Sequence, residues 1–265
     1  MEQVHFDGSI PEVYEACLHP LLFEPYAKWL ASRVELPRGA RVLELAAGTG
    51  ALTRELLPRL PADATLVVTD LQEAMLDVAR RVVPHEGCAK CLIADALDLP
   101  FDDASLDLVL CQFGWMFFPD KPVAAGEAAR VLRDGGTFGF LVWHSVEDNE
   151  VATIAKRIVG SFLPDGPPRG FDIPFGFADH TTLLADLGNS FEAVSFEDVS
   201  LVGHSTPAAA ARGFCRGTPM ALELAERIPE KHAEVQTALE AAYAARFGEG
   251  PFETELNALY VEART

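Results

Sequence analysis

The ten residues Arg41-Val-Leu-Glu-Leu-Ala-Ala-Gly-Thr-Gly50 constrain this chain more than any other stretch. An apolar run carrying one acid reads as a buried strand, and the small residues behind it form a turn that opens a helix. At Ala46, Ala47, Gly48 and Gly50 such a turn lets a ligand touch bare backbone, and the helix start beyond it offers unpaired N–H groups. No third glycine comes after them, because Ala51-Leu-Thr53 stands where a dinucleotide fingerprint would place one. Glu44 on the strand would repel a pyrophosphate and suits a cationic ligand.

A lone glycine turn specifies little, so the spacing to the next strands decides. Thr65-Leu-Val-Val-Thr-Asp70 is a second buried strand ending in an acid, placed to accept both hydroxyls of a ribose at the carboxyl edge of a parallel sheet. A third strand near 90–94 ends in Asp95-Ala96, which puts another acid at the same edge, in reach of an adenine amino group. Further strands are expected near 106–111 and 136–143, with helices near 50–60, 73–83 and 121–133 between them. That alternation implies parallel pairing and right-handed crossovers. Asp120-Lys-Pro122 supplies a capping acid and a proline for the last of these helices.

The segments Val42–Gly50, Thr69–Leu76, Ala94–Phe101, Asp107–Gly114 and Arg130–Gly136 together resemble the class I S-adenosylmethionine-dependent methyltransferases, in the bacterial branch similar to the ubiquinone/menaquinone-biosynthesis C-methyltransferases. The likeness is specific to about residue 145 and looser beyond. Ala46 replaces the first loop glycine of the family, and Asp134-Gly135-Gly136 replaces its usual Pro-Gly-Gly. The resemblance implies an α/β, Rossmann-like, doubly wound and mostly parallel seven-stranded sheet with helical cap insertions. It implies S-adenosylmethionine as cofactor, with contacts at Tyr14, Glu44, Ala46, Gly48, Gly50, Asp70, Leu71, Met75, Asp95, Ala96, Gln112 and Phe113. Trp115 and Met116 are expected on the acceptor side, whereas Phe117 and Phe118 are expected in the core.

Residues 1–36 are expected to form an N-terminal helical lid over a cofactor-binding core at 37–145. Residues 146–265 then complete the sheet, with strands near 191–199 and 253–263, the last antiparallel in an edge hairpin. They also carry helical insertions near 147–163, 179–187 and 206–247 that cap the acceptor. In the lid, Tyr14 is the functional candidate, because a hydroxyl near a sulfonium can orient it. Phe23 and Tyr26 read equally as lid or as packing. His144, directly after the fifth strand, is the candidate general base, with a structural hydrogen bond at the cap junction as the competing reading.

Net charge is −19, from 21 Lys and Arg against 40 Asp and Glu, with no basic cluster. That balance argues against a nucleic-acid partner, whose affinity rests on neutralising phosphates, and favours a small neutral or cationic acceptor. A start without a basic and apolar leader, and the lack of a membrane-length apolar run, predict a cytoplasmic protein. Five cysteines, an odd number, fit a reducing compartment. Cys88 and Cys91 have half-zinc-site spacing but no second pair completes it, so no metal is expected. Beside a small-molecule methyltransferase, two readings stay open. A nicotinamide-dependent oxidoreductase is disfavoured by the glycine pattern and Glu44, and a non-catalytic cofactor-binding regulator would share the same site.

Overall fold

The computed structural model describes residues 10–83 and 89–265. One sheet runs in the order β3-β2-β1-β4-β5-β7-β6. Its strands are β1 Arg41–Glu44, β2 Thr65–Asp70, β3 Ala89–Ile93, β4 Leu106–Gln112, β5 Leu132–Trp143, β6 Ala193–Ser205 and β7 Phe252–Arg264. β1 to β5 pair in parallel, and β7 lies antiparallel between β5 and β6. This is the Rossmann-like, mostly parallel seven-stranded sheet that the sequence predicts. Strand order reverses between β1 and β4, which opens a crevice outside their carboxyl ends, the usual ligand position in open α/β sheets.

Local chemistry accounts for most boundaries. β4 is almost wholly buried, as a central parallel strand covered on both faces must be. The helix α4, Glu73–Val82, buries Met75, Leu76, Val78 and Ala79 as one stripe. The helix α5, Lys121–Val131, starts where the Asp120 carboxylate accepts the Val123 N–H at 3.1 Å. Several boundaries differ from expectation, and β6, expected near 191–199, runs on to Ser205. β1 stops at Glu44 because Ala46 turns into the left-handed region at φ 50°. β5 begins at Leu132, not near 136, because the chain leaves α5 directly into the sheet. Leu132 pairs with Leu106 and Thr137 with Leu108, so the intervening residues around Gly135 bulge out of register.

The N-terminal segment runs from α1, Ile10–Val13, through wide π-helical turns at Tyr14–Phe23 into α2, Glu24–Arg33. Pro20 inside the π-helical stretch lacks an N–H for a regular α-helical bond. This segment packs on α8, Pro207–Arg216. A Cβ on Gly213 of that helix would come within 2.6 Å of the Leu18 side chain, so the two backbones approach closely. The remaining helices are α3 Ala51–Leu56, α6 Glu150–Phe162, α7 His180–Leu187, α9 Met220–Arg227 and α10 His232–Phe247. α10 packs on both α6 and α8, and the Tyr243 hydroxyl near its C-terminal end donates to Val151 O at 2.8 Å. Among the described residues no helix is long and apolar enough to cross a membrane. No group of His, Cys, Asp and Glu among them could hold a metal ion, and Cys88 of the half-site spacing lies outside the described residues.

Candidate functional site

The carboxyl ends of β1, β2 and β4 surround a cavity of about 410 Å³. Its floor is tied together by short hydrogen bonds. Gly48 N–H donates to Asp70 Oδ2 at 2.8 Å and Gln72 N–H to Asp70 Oδ1 at 2.8 Å. Thr69 Oγ1 donates to Glu44 O at 2.7 Å. The β1–α3 loop therefore cannot move without disturbing the acid at the end of β2. Burial pushes the Asp70 carboxyl above its usual range, opposed by N–H donors from Gln72, Gly48 and Leu71. Burial, reinforced by the Asp70 charge, holds the Tyr14 phenol well above its ordinary value.

Tyr14, Ala46, Gly48, Asp70, Leu71, Met75, Asp95, Ala96, Gln112, Phe113 and Met116 all line this cavity. Four candidates stand elsewhere. Gly50 begins α3 at φ 82°, and a Cβ there would meet Val83 at 2.7 Å, so its place is a close approach of helix to helix and not a cavity wall. Glu44 is 1% exposed and points beneath the loop, where Thr53 Oγ1 donates to its Oε2 at 2.6 Å. Burial pushes its carboxyl up to about 8. Glu44 therefore does not face a cationic ligand in the cavity; it anchors α3 to β1.

Trp115 belongs to the core. A 3₁₀ turn over Trp115–Phe117 points it inward, stacked on Phe140 at 4.7 Å, and turns Met116 and Phe117 outward. Phe117 and Phe118 thus line the cavity instead of the core, the reverse of the expected arrangement. His144 is the fourth. Successive side chains alternate across a strand, so Trp143 stacks on Phe113 at 3.8 Å while His144 turns away. Its Nε2 lies 2.8 Å from Asp198 Oδ1 on β6, its N–H donates to Asn257 O at 3.1 Å, and it lines neither cavity of this crevice. Of the two lid aromatics left open, Tyr26 is structural, its hydroxyl lying 2.7 Å from Leu256 O and 3.0 Å from Val199 O. Phe23 stacks on Tyr14 at 4.6 Å and faces a smaller chamber.

Ile173, from the loop between α6 and α7, also reaches the cavity, with nothing in its own sequence to signal it. Lys121 carries no such signal either. Its Nζ donates to Phe118 O at 3.0 Å and Met116 O at 3.3 Å, and sits 3.8 Å from the centre of the Phe177 ring. Burial lowers the pKa of this ammonium, with Asp186 opposing. An ammonium so placed ties the cavity-lining turn to the 164–178 loop.

Two acids and no Lys, Arg or His line the cavity among the described residues, which suits a cationic ligand rich in hydroxyl and amino donors. Gln112 adds an acceptor, since its Nε2 donates to Phe23 O at 2.8 Å and its buried Oε1 has no partner among the described residues. A second, apolar chamber of about 70 Å³ shares the walls made by Tyr14, Phe113, Met116 and Phe117.

Comparison with known proteins agrees with this geometry. Residues 43–140 match the family described as "Methyltransferase domain". An uncharacterised methyltransferase of Mycobacterium bovis is 34% identical over 192 residues, covering 69% of each chain. The demethylmenaquinone methyltransferase of Thermus thermophilus is 39% identical over 133 residues, 49% of this chain and 60% of that protein. The chain spans about half the length of several other curated relatives it matches. The crystal structure of the YcgJ protein of Bacillus subtilis superposes with a TM-score of 0.56 at 20% identity, covering 91% of this chain and 98% of that one, a likeness of fold. The family match within residues 43–140 and the relative matched along 69% of both chains place this chain in the class I S-adenosylmethionine-dependent methyltransferase family.

Proposed function

We propose that this protein transfers a methyl group from S-adenosylmethionine to a small-molecule acceptor. The observation that carries the reading is the cavity at the carboxyl ends of β1, β2 and β4, which pairs Asp70 and Asp95 with an apolar annex and has no basic side chain on its walls among the described residues. When bound, the cofactor supplies an electrophilic methyl on a sulfonium, which an acceptor's lone pair displaces. Asp70 would accept from the ribose hydroxyls and Asp95 from the adenine amino group. The orphaned Gln112 Oε1 would take a further donor. Phe117, Phe118 and Ile173 keep water from the reacting end, and Phe113 and Met116 fix the line of approach.

With His144 turned toward Asp198, no imidazole among the described residues faces the cavity, so the reading assigns catalysis to proximity and assigns the acceptor's proton to solvent at the cavity mouth. A dinucleotide reading fits poorly, since a pyrophosphate would lie against Asp70 and Asp95. Calorimetry with S-adenosylhomocysteine and NAD tests the assignment: tight binding of the first and none of the second is expected, and the reverse overturns it. Transfer of labelled methyl to any acceptor in a metabolite extract separates an enzyme from a regulator that only binds.

A further inference from the structure

The chamber beside the cofactor cavity differs from it in chemistry. It is walled by Leu18, Leu22, Phe171, Phe175 and Phe214, and among the described residues no charged side chain reaches it. Its hydroxyl groups are few. Thr218 Oγ1 already donates to Phe214 O at 2.7 Å, so its proton is engaged. The Gly170 N–H is likewise taken, donating to Glu223 Oε2 at 2.9 Å.

We propose that this chamber receives the methyl acceptor, and that the acceptor is an uncharged, apolar ring compound; the proposal rests on the methyl-transfer reading above. A charged acceptor body would be stripped of water here with nothing to pair it, which opposes entry strongly. A ring, in contrast, meets ring faces. Phe171 stacks at 6.2 Å on both Phe175 and Phe214, and the parallel-stacked Phe113 and Trp143 close one side. The volume of about 70 Å³ equals roughly five to seven waters at ~10–15 Å³ each, the size of a single ring. The walls shared by both chambers, Tyr14, Phe113, Met116 and Phe117, are where an acceptor in one reaches a methyl held in the other. Transfer there forms one bond from the acceptor's nucleophile to the methyl carbon and breaks the sulfur–methyl bond, whose electron pair stays on sulfur. The acceptor's proton leaves to water.

The test is calorimetric titration of the S-adenosylhomocysteine-saturated protein with p-cresol and indole as ring probes and phosphoethanolamine as the charged probe. The ring probes should bind at least about tenfold more tightly than phosphoethanolamine. Leu22→Trp, which fills the chamber, should weaken them by about tenfold or more while S-adenosylhomocysteine affinity changes less than about threefold. Preference for phosphoethanolamine, or ring binding unaltered by Leu22→Trp, overturns the proposal. If Leu22→Trp disturbs the fold, Phe175→Ala from the half-buried roof loop replaces it. That change enlarges the chamber and should shift preference from p-cresol toward 2-naphthol, and an unshifted preference counts against the proposal. Ring binding to a protein that takes up no S-adenosylhomocysteine would sink the methyl-transfer reading and the acceptor assignment with it, and would leave the chamber as a ring-binding site alone.

Discussion

At the floor of the crevice, position is set by backbone: Gly48 N–H and Gln72 N–H each hold one oxygen of Asp70 at 2.8 Å, and Ala47 N–H holds Thr69 O at 2.9 Å. At the roof, position is set by rings and aliphatic side chains drawn from Tyr14–Phe23, 170–175 and 214–219, which lie far apart in the chain. The floor is directional and tolerates little; the roof is held by apolar burial, which is non-directional and tolerates exchange of shape. A floor that binds one cofactor and a roof that can vary with the acceptor are the consequence of that difference.

The largest effect should come from the close helix-to-helix approach that supports the floor loop from behind. Gly50→Val combines a left-handed φ of 82° with a Cβ 2.7 Å from Val83. It should cost about 3–5 kcal/mol, which thermal unfolding would show as a fall of roughly 6–20 °C. A loss below about 1 kcal/mol would mean that the loop is as plastic as the roof, and would break the comparison. Next, Asp70→Ala should weaken S-adenosylhomocysteine binding by about 10–100-fold, or about 1.5–3 kcal/mol. An unchanged dissociation constant with intact folding would remove Asp70 from the ribose role.

Glu44 sharpens the comparison through pH. With its carboxyl pushed up to about 8 from an ordinary 4.5, the fold binds this proton more tightly than the unfolded chain does. Its contribution to stability is therefore fully present below 4.5 and is lost as pH rises through about 8. Glu44→Gln keeps an acceptor for Thr53 and should flatten that slope, leaving the variant about 1–2 kcal/mol more stable than wild type at alkaline pH. Denaturant midpoints measured from pH 4 to 9 check this, and parallel curves for the two proteins would show that Glu44 is charged in the fold. Ala46→Gly is smaller still. It relieves a φ of 50° on a residue with a Cβ but adds freedom to the unfolded chain. A net gain of about 0.5 kcal/mol is expected, and a loss would show that the Ala46 methyl packs usefully.

The sheet and the floor are legible in the sequence for a physical reason. Each strand that ends at the crevice carries its own signal within a few residues: Gly48 after β1, Asp70 closing β2, Asp95 after β3. The roof is not, because Ile173, Phe171 and Phe214 are ordinary apolar residues whose place depends on how α6, α8 and the 164–178 loop fold back. Even near the floor, composition misleads where a turn intervenes. Four consecutive residues, Trp115 to Phe118, are all apolar, and only the 3₁₀ geometry separates the buried Trp115 from the cavity-lining Met116, Phe117 and Phe118. Glu44 misleads similarly, since its position in sequence says that it ends β1 but not that its side chain turns toward Thr53. Lys121, between Asp120 and Pro122, reads only as part of a helix start, and its grip on two loop carbonyls is a tertiary fact.

The smallest effect should come from His144, which the sequence places nearest to a catalytic base and the fold turns aside. Its imidazole meets Asp198, a carboxylate 77% exposed on the outer strand β6, and exposed pairs of this kind contribute about 0–1 kcal/mol. Trp143, the last residue of β5, faces the crevice through its stack on Phe113, while His144, just past the strand, turns to the opposite side toward Asp198. His144→Ala should therefore leave turnover within about threefold of wild type and S-adenosylhomocysteine affinity unchanged, where a positioned general base would cost about 10²–10⁴-fold. A hundredfold fall in turnover with intact cofactor binding would return His144 to the chemistry. Because its side chain reaches neither chamber here, that result would require the β5 end and the 144–149 turn to rearrange when an acceptor binds, making this part of the molecule mobile in a way that the hydrogen-bonded floor is not.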